Sequence, residues 1–507
     1  DTVAKALINK GKIKGDVEWV SGMNLFDLIR YCMNDAEITL ELTTYNNDLV
    51  MNLILMLQRM SRMPIENVSR RNVSGWIRSF MLYEHRQRNI LIPNTEDIKE
   101  AKGETMSKAV IKGKKYKGAI VFDPVTGTHF FVVVLDFASL YPSIIKVYNI
   151  GYSTINCPHE ECKKNKVGDL SHWMCTRYKS LESILIGSLR DLRVDWYKKR
   201  ANKERVEAKG LDKKALAWYS VAEQSIKVIM NASYGVFGAE SFMFYCPPVA
   251  EQVTAIARYM IKGTAEKAQA IGIEVLYGDT DSIFTKKPSK EMIKKLIGWA
   301  DRKHGIELEV DKIYRFICLS DRKKNYLGVK ENGEVDVKGL TGKKKHTPKI
   351  IRDAFEDTKK ILSKIEKQEE LEGGKRKIVE LLKEVYFTFK NRSWADINDL
   401  AFNITLGSEL KDYTKTTPQH VKAAKLLVEQ GVEIGAGSVI RFVKTNKKLA
   451  RGMTVKPIQT VKRGEVDIAK YVEFLQSTFE QILDPMDISF ETDILGVTKM
   501  TRWMHHA

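Results

Sequence analysis

Tyr277-Gly278-Asp279-Thr280-Asp281-Ser282 lies between two apolar halves, Val275-Leu276 before it and Ile283-Phe284 after it. Apolar runs on both sides of a Gly-Asp turn signal read as two strands joined tightly. Residues two apart along an extended strand share a face, so Asp279 and Asp281 can point one way. A further aspartate has a similar setting. His129-Phe130-Phe131-Val132-Val133-Val134-Leu135 has the pattern of a buried strand, and Asp136 stands where that strand leaves the sheet, on a rigid support suited to chemistry. Like carboxylates held close repel, and hard divalent cations relieve the repulsion; Mg2+ takes one or two carboxylates plus phosphate oxygens and water. Asp136, Asp279 and Asp281 are therefore candidate catalytic carboxylates of a site that uses two Mg2+ ions for phosphoryl transfer. Alternatively, Asp136 caps the next helix and Asp279-Thr280-Asp281 is a solvated hairpin turn.

Working outward, residues 22 to 61 carry Leu25, Ile29, Cys32 and later Leu40, Leu49, Leu53 and Leu57 at spacings of three and four around Asn/Asp breaks. That spacing predicts an α-rich opening. Ala119 to Phe122 and His129 to Leu135 flank Asp123-Pro124-Val125-Thr126-Gly127-Thr128 and predict a hairpin, preceded by a lysine-rich stretch ending Lys112-Gly113-Lys114-Lys115. Leu181 to Arg200 and Ala215 to Met230 predict an antiparallel pair of amphipathic helices, with the Lys/Glu/Gly-rich stretch Ala201 to Lys214 between them. Strand composition returns at 271 to 285 and 313 to 337. After Lys338 the chain reads as mostly helical and basic, with one strand-like stretch from Ser438 to Val443. A β-rich centre interrupted and followed by helices is an α+β arrangement.

At 507 residues the chain is too long for one small binding module. Its 83 Lys and Arg exceed its 64 Asp and Glu, a formal charge of +19 on a chain still 43% apolar. Such a positive field favours polyanionic partners, because cationic contacts to phosphates release condensed counterions. The longest apolar run, Phe130 to Leu135, is far short of a membrane span, and the first residues lack a leader pattern, so a soluble, cytoplasmic protein without a membrane partner is expected. Six cysteines are too sparse for a secreted disulfide scaffold. Cys157, Cys162, His172 and Cys175 have a Cys-x4-Cys and His-x2-Cys spacing that suits zinc, with His159 a competing ligand and a disulfide or free thiols as the alternatives.

In Lys227-Val228-Ile229-Met230-Asn231-Ala232-Ser233-Tyr234-Gly235, the residues Lys227, Asn231 and Tyr234 fall at i, i+4 and i+7 and share a helical face. Lysine suits a mobile triphosphate, asparagine adds directional hydrogen bonds and tyrosine offers a flat surface for a base. Gly235 fits a helix C-terminal cap. The partner helix carries Arg190, Arg193, Lys198, Lys199 and Arg200, so a nucleoside triphosphate could lie between two cationic faces; a solvated charged helix edge is the bland alternative.

Asp136-Phe137-Ala138-Ser139-Leu140-Tyr141-Pro142-Ser143-Ile144-Ile145, then Lys227 to Gly235, then Tyr277 to Ser282, in that order, resemble the three polymerase motifs of family B DNA polymerases. Lys323-Lys324-Asn325-Tyr326 is similar to the family's Lys-Lys-x-Tyr segment at the primer-template. Tyr116-Lys117-Gly118-Ala119 resembles its Tyr-x-Gly-Gly/Ala motif. The similarity, in particular to the crenarchaeal replicative enzymes of the Sulfolobus type, runs through essentially the whole chain.

The resemblance implies a right-hand fold with an antiparallel-sheet palm, helical fingers and a mostly helical thumb. Residues 1–112 would be the C-terminal remnant of an exonuclease domain with its connector, 113–176 and 241–340 the palm, 177–240 the fingers and 341–507 the thumb. It implies Asp136 and Asp281 as metal ligands with the Phe137 carbonyl assisting, and Asp279 close to the primer end. Backbone amides of Ala138, Ser139, Leu140 and Tyr141 would receive the triphosphate, Tyr141 would exclude a ribose 2′-hydroxyl, and Arg193, Lys227, Asn231 and Tyr234 would contact the nucleotide. A second fingers cation is usual one turn after the arginine. Tyr197 occupies that position, which leaves Lys198 as the substitute. Tyr116, Gly118, Thr280, Lys323, Lys324, Tyr326, Lys343 and Lys344 would touch DNA, although Lys343 to His346 also reads as a solvated loop. Archaeal relatives carry a disulfide in the cysteine region.

Tyr31-Cys32-Met33-Asn34-Asp35 matches the third motif of the family's 3′→5′ exonuclease, where Tyr31 and Asp35 share a helical side. The remaining exonuclease carboxylates, an Asp-x-Glu pair and an upstream aspartate, are not found; Asp16-Val17-Glu18 has the letters at the wrong distance. Incomplete proofreading and a partner N-terminal half, separate or missing, are expected. Primer-template DNA and deoxynucleoside triphosphates are the implied substrates. No clamp-binding tail is recognisable before Ala507, and attachment of a sliding clamp stays open. A non-catalytic polymerase-like DNA-binding subunit and a nuclease are the competing functions, for which primer lengthening, retention or shortening on a gel are the distinguishing outcomes.

Overall fold

The computed structural model describes residues 2–13, 23–103, 105–106, 117–201, 213–344, 346–414 and 417–497. Tyr116, the Lys112–Lys115 stretch, Asp16-Val17-Glu18, Lys345, most of the stretch between the two charged helices and the last ten residues lie outside the described residues. The chain divides into two units: Asp1–Ile120, Phe137–Thr264 and Ile297–Leu308 form the first, and Val121–Asp136, Ala265–Leu296 and Glu309–Ala507 the second.

The first unit is built on helices. Leu25–Ser61 is one element of 37 residues. The Asn24 side chain caps it by accepting from the amides of Phe26 and Asp27 at 3.1 and 3.0 Å, and left-handed Arg62 ends it. The expected Asn/Asp breaks survive inside this helix as left-handed residues, Asn46 at φ 53° and Asp48 at φ 60°, because short polar side chains tolerate that region best after glycine. Ser180 caps the helix Leu181–Asp191 through the amide of Ser183 at 3.0 Å. The chain then widens into an underwound π-helical segment, Leu192–Lys198, where spacing alone predicted continuous α-helix. The partner helix runs Lys213–Phe237, so Gly235 lies within it rather than capping it.

In the second unit a six-stranded sheet has the order β2-β3-β1-β4-β5-β6. Its strands are β1 (Gly127–Phe137), β2 (Glu274–Asp279), β3 (Ser282–Lys286), β4 (Leu308–Leu319), β5 (Tyr326–Lys330) and β6 (Val335–Lys338). The expected hairpin of Ala119–Phe122 with His129–Leu135 does not form. β1 pairs antiparallel with β3 instead, and the earlier segment borders β2, with Phe122 N donating to Gly278 O and Val125 N to Leu276 O, both at 2.9 Å. An apolar strand such as 129–135 gains most when covered on both sides, so it takes the interior position in the sheet.

Alternation along β4 and β5 divides the core in two, and on β1 the division falls at left-handed Phe131, φ 56°, between Phe130 and Val132. Val132, Val134, Phe284, Tyr314, Ile317, Leu319 and Tyr326 cluster on one face. Phe130, Phe316, Cys318, Leu327 and Val329 join a larger cluster with Phe355, Leu382 and Phe479 from the helices Lys349–Ser363, Leu371–Lys390 and Ile468–Leu483. Each such fully buried aromatic or aliphatic side chain contributes roughly 1.5–3 kcal/mol. A small sheet, β7 (Phe402–Thr405), β8 (Val439–Lys444) and β9 (Val455–Pro457), packs there too. Of these only β8 was expected, since runs of four and three residues are too short to show a period.

Candidate active site

Two register rows bring the acidic residues of the second unit together. Asp136 on β1 is the cross-strand partner of Ser282, and Asp279 on β2 is the partner of the same Ser282 from the other side. Asp281 precedes Ser282 in the chain. Antiparallel partners have Cα atoms about 5 Å apart and one chain step adds about 3.8 Å, which keeps the Cα atoms of Asp136 and Asp281 within about 9 Å of each other. The link from β2 to β3 is tighter than a continuous strand: Asp281 N donates to Asp279 O at 2.6 Å, and Thr280 takes φ 60°. Asp279 and Asp281 thus flank a turn residue instead of sharing one strand face.

Gly278 is required here. A β-carbon at that position would lie 2.5 Å from the Phe122 ring. The backbone of β2 must approach that ring for the aspartate turn to sit where it does.

Burial and the neighbouring Asp279 carboxylate raise the pKa of Asp281 above the ordinary aspartate range. Proton uptake or a cation relieves that cost. Cations are already arranged nearby. The Lys324 ammonium contacts Asp279 and lies 3.3 Å from Thr280 Oγ1, while the Lys324 amide donates to Tyr277 Oη at 2.9 Å. Lys323 reaches Asp123 at 2.9 Å and Val121 O at 3.0 Å. Sequence reasoning did not single out Lys312. This β4 residue pairs with Asp336 at 3.0 Å, and Tyr314 Oη donates to Asp336 at 2.8 Å. Burial opposes its charge, but Asp336, Asp311 and Asp136 together outweigh that and raise its pKa. It stands among Glu309, Asp311 and Arg315 in β4, where one more charge carries no distinguishing signal in the sequence.

Of the expected DNA contacts in this unit, Thr280, Lys323, Lys324, Lys343 and Lys344 are partly or well exposed. Tyr326 is not. Its ring is 6% exposed, packed edge-on against Phe284 at 5.4 Å, because strand alternation turns it into the core.

In the first unit, the segment after Asp136 turns sharply through Ser139, at φ 49°, into the helix Leu140–Val147. Ser139, not Asp136, is the cap residue. The turn is held by Ala138 N donating to Glu307 O at 3.0 Å and by Ser143 Oγ donating to Ala138 O at 2.8 Å. Phe137 and Leu140 are buried, and the Tyr141 ring lies 4.3 Å from that of Tyr234. Lys227 and Asn231 are exposed on the same face of Lys213–Phe237.

Arg193 lies on the π-helical segment and is 8% exposed. It donates to Ser139 Oγ at 2.6 Å and pairs with Glu223 at 2.5 Å. Glu223 was missed, although it sits one turn before Lys227. Lys198 is partly buried, and Arg190 donates to Ser143 Oγ at 3.2 Å. The Gly118 carbonyl accepts from Arg258, which also holds Lys117 O and Asp169.

Tyr31 and Asp35 lie on Leu25–Ser61, and Asp35 is paired with Lys12 at 3.0 Å. The cysteine cluster differs from expectation in one ligand. His159, not His172, joins Cys157, Cys162 and Cys175. His172 is fully buried elsewhere, with its ring nitrogens on Glu251 at 2.9 Å and Asn156 at 3.0 Å.

All of the carboxylate donors are hard oxygens, a set that fits Mg2+ or Mn2+ and disfavours softer metals. No helix among the described residues is long and apolar enough to cross a membrane.

The chain is 43% identical over 486 residues to "DNA polymerase 1" of Sulfurisphaera ohwakuensis, covering 95% of this chain and 54% of that protein. It is 42% identical over 504 residues to "DNA polymerase 1" of Aeropyrum pernix, covering 99% and 51%. The chain thus spans about half the length of the curated relatives it matches. A solved family B DNA polymerase from Pyrobaculum calidifontis superimposes with a TM-score of 0.62 at 27% identity, over 93% of this chain and 56% of that one. Residues 63–486 match the model of DNA polymerase family B, and the chain belongs to that family.

Proposed function

We propose that the chain extends a DNA primer on a template, joining the primer 3′-hydroxyl to the α-phosphate of a deoxynucleoside triphosphate and releasing pyrophosphate. The observation that carries this reading is the double register on Ser282, which gathers Asp136, Asp279 and Asp281 at one end of a sheet in a chain of this family. Asp136 and Asp281, with the Phe137 carbonyl, would hold two Mg2+ ions, which when bound lower the pKa of the attacking hydroxyl and stabilise charge on the transferred phosphoryl group. Lys324 balances Asp279 and keeps that carboxylate oriented. Arg193, Lys227 and Asn231 bind the triphosphate, Arg193 by exchanging Glu223 for phosphate oxygens of the same charge. The backbone amides of Ala138 to Tyr141 receive its oxygens, with the turn at Ser139 directing them. Tyr141, braced by Tyr234, limits the space at the sugar.

In this reading 113–176 and 241–340 act as palm, 177–240 as fingers, 341–507 as thumb and 1–112 as the remnant of an exonuclease. Primer-template DNA and deoxynucleotides are the partners. A segment carrying the Asp-x-Glu pair would complete Tyr31 and Asp35. The test is a primer-extension gel with all four deoxynucleotides. The chain should lengthen the primer, whereas Asp136→Ala and Asp281→Ala should abolish extension and leave most duplex affinity. Comparable extension by either variant would refute the assignment. Binding without extension by the unaltered chain would favour a non-catalytic subunit.

A further inference from the structure

Between the helices Leu140–Val147 and Leu181–Asp191, the first unit carries a loop folded on itself by the bridges Ile155↔Met174 and Lys166↔Trp173 and by a 3-10 turn, Glu160–Lys164. Four side chains of this loop converge. Cys157, His159, Cys162 and Cys175 each offer one ligand atom, all within 4.8 Å of one another. Cys157 and Cys162 are fully buried and Cys175 is 2% exposed. We propose that Cys157, His159, Cys162 and Cys175 form a structural zinc site.

The distances suit zinc better than a disulfide. Zn–S bonds of about 2.3 Å and Zn–N bonds of about 2.0 Å, set at tetrahedral angles, hold the ligand atoms roughly 3.5–3.8 Å apart. Cys175 Sγ lies 3.5 Å from His159 Nδ1. A disulfide consumes two of three convergent thiols and leaves the third buried beside an imidazole with no task. A Cys3His site uses all four groups.

The surroundings supply what thiolate ligands need. Cys162 Sγ accepts from the Thr176 amide at 3.4 Å and faces Thr176 Oγ1 at 3.4 Å. Trp173 packs on the cluster and donates through Nε1 to Cys157 O at 2.9 Å. The neighbouring carboxylates are engaged elsewhere, Glu160 with Lys163 and Glu161 with Arg177.

The site also touches the machinery by a short route. Cys175 O accepts from Asn149 Nδ2 at 2.9 Å, and Asn149 Oδ1 accepts from the amide of Ser180 at 2.9 Å. Ser180 caps the helix that leads to Arg190 and Arg193. Zinc would pin the start of that helix to the end of Leu140–Val147, adding to the Asn149 hydrogen bonds and to the Lys146–Asp191 ion pair at 2.7 Å.

The whole chain, purified under reducing conditions without chelator, tests this by elemental analysis alongside a thiol count. The expected result is one zinc per chain, with the three clustered thiols resisting alkylation until a chelator removes the metal. Cobalt exchanged for zinc should give a thiolate-to-cobalt charge-transfer band. His159→Ala and Cys162→Ser should lose the zinc, and His172→Ala should keep it. An intact mass two hydrogens short of the reduced chain would overturn the proposal in favour of a disulfide. Zinc-free protein that takes up no metal, or zinc retained undiminished in Cys162→Ser, would overturn it too. Should a variant fail to fold, zinc titration of the unaltered reduced chain still decides.

Discussion

Glu182 offers a quantitative test of how the helix leading to Arg193 is held. It stands in the first turn of Leu181–Asp191 with no exposed surface. The Tyr152 amide donates to its Oε1 at 2.9 Å, and its Oε2 has no hydrogen-bond partner among the described residues. Burial lifts its pKa from 4.5 to about 7, against the weaker opposing pull of the Tyr152 amide and of Lys102. Below pH 4.5 the carboxyl is neutral in both folded and unfolded chains, and folding carries no charge penalty. As pH rises the unfolded chain ionises first, so stability falls until the folded group also ionises near pH 7. Over that interval the loss is about 3 kcal/mol. Glu182→Gln is isosteric, keeps the carbonyl that accepts from Tyr152 and cannot ionise. Its thermal midpoint should match that of the unaltered chain at pH 4.5 and exceed it above pH 7. At about 2.1 cal/mol/K of unfolding entropy per residue, 507 residues melting together shift by about 1 °C per kcal/mol, so the gap there should be about 3 °C. Parallel midpoint profiles for the two proteins from pH 4.5 to 8 would refute the assignment of the penalty to this carboxyl.

Three further outcomes follow from the site. Tyr141→Ala removes the ring that Tyr234 braces, and ribonucleotide incorporation should rise relative to deoxynucleotide in kcat/KM; an unchanged ratio removes Tyr141 from sugar selection. Arg193→Lys keeps the charge but loses the fork that reaches Ser139 and Glu223 together, so the deoxynucleotide KM should rise about tenfold with primer affinity unaltered. Gly278→Ala forces a methyl group against Phe122 and should cost about 1–3 kcal/mol by denaturant melt while slowing extension. A melt and an extension rate equal to those of the unaltered chain would mean that Phe122 moves aside freely.

What was legible in the sequence follows the range of the forces involved. Strands 271–285 and 313–337 and the charged helices were readable because burial repeats every two or every three to four residues, and the structure keeps β2 to β6 and Lys213–Phe237 in those regions. The partner of β1 was not readable. A turn signal at Asp123–Thr128 is local, whereas the pairing of β1 with β3 joins residues some 150 positions apart and is decided by which neighbour covers Val132 to Leu135 best. The π-helical segment at Leu192–Lys198 was hidden for a similar reason. Its residues have ordinary helix propensities, and what accompanies the wider turn is a long-range contact, Arg193 with Glu223.

The same reasoning separates the two histidines near the cysteines. Sequence spacing favours His172, three before Cys175, over its competitor His159, two after Cys157. The fold separates them because Glu251, some eighty positions later, supplies a buried carboxylate to His172 Nε2 while Asn156 takes its Nδ1. A buried imidazole held from both sides cannot also turn to a metal without giving up its hydrogen bonds to Glu251 and Asn156, a loss of about 1 kcal/mol or more for each. His159 sits at the start of a 3-10 turn with Nδ1 already beside Cys175 and incurs no such loss. Ligand choice in this loop is therefore fixed by what the rest of the unit does with the rival side chain, which the local pattern could not reveal.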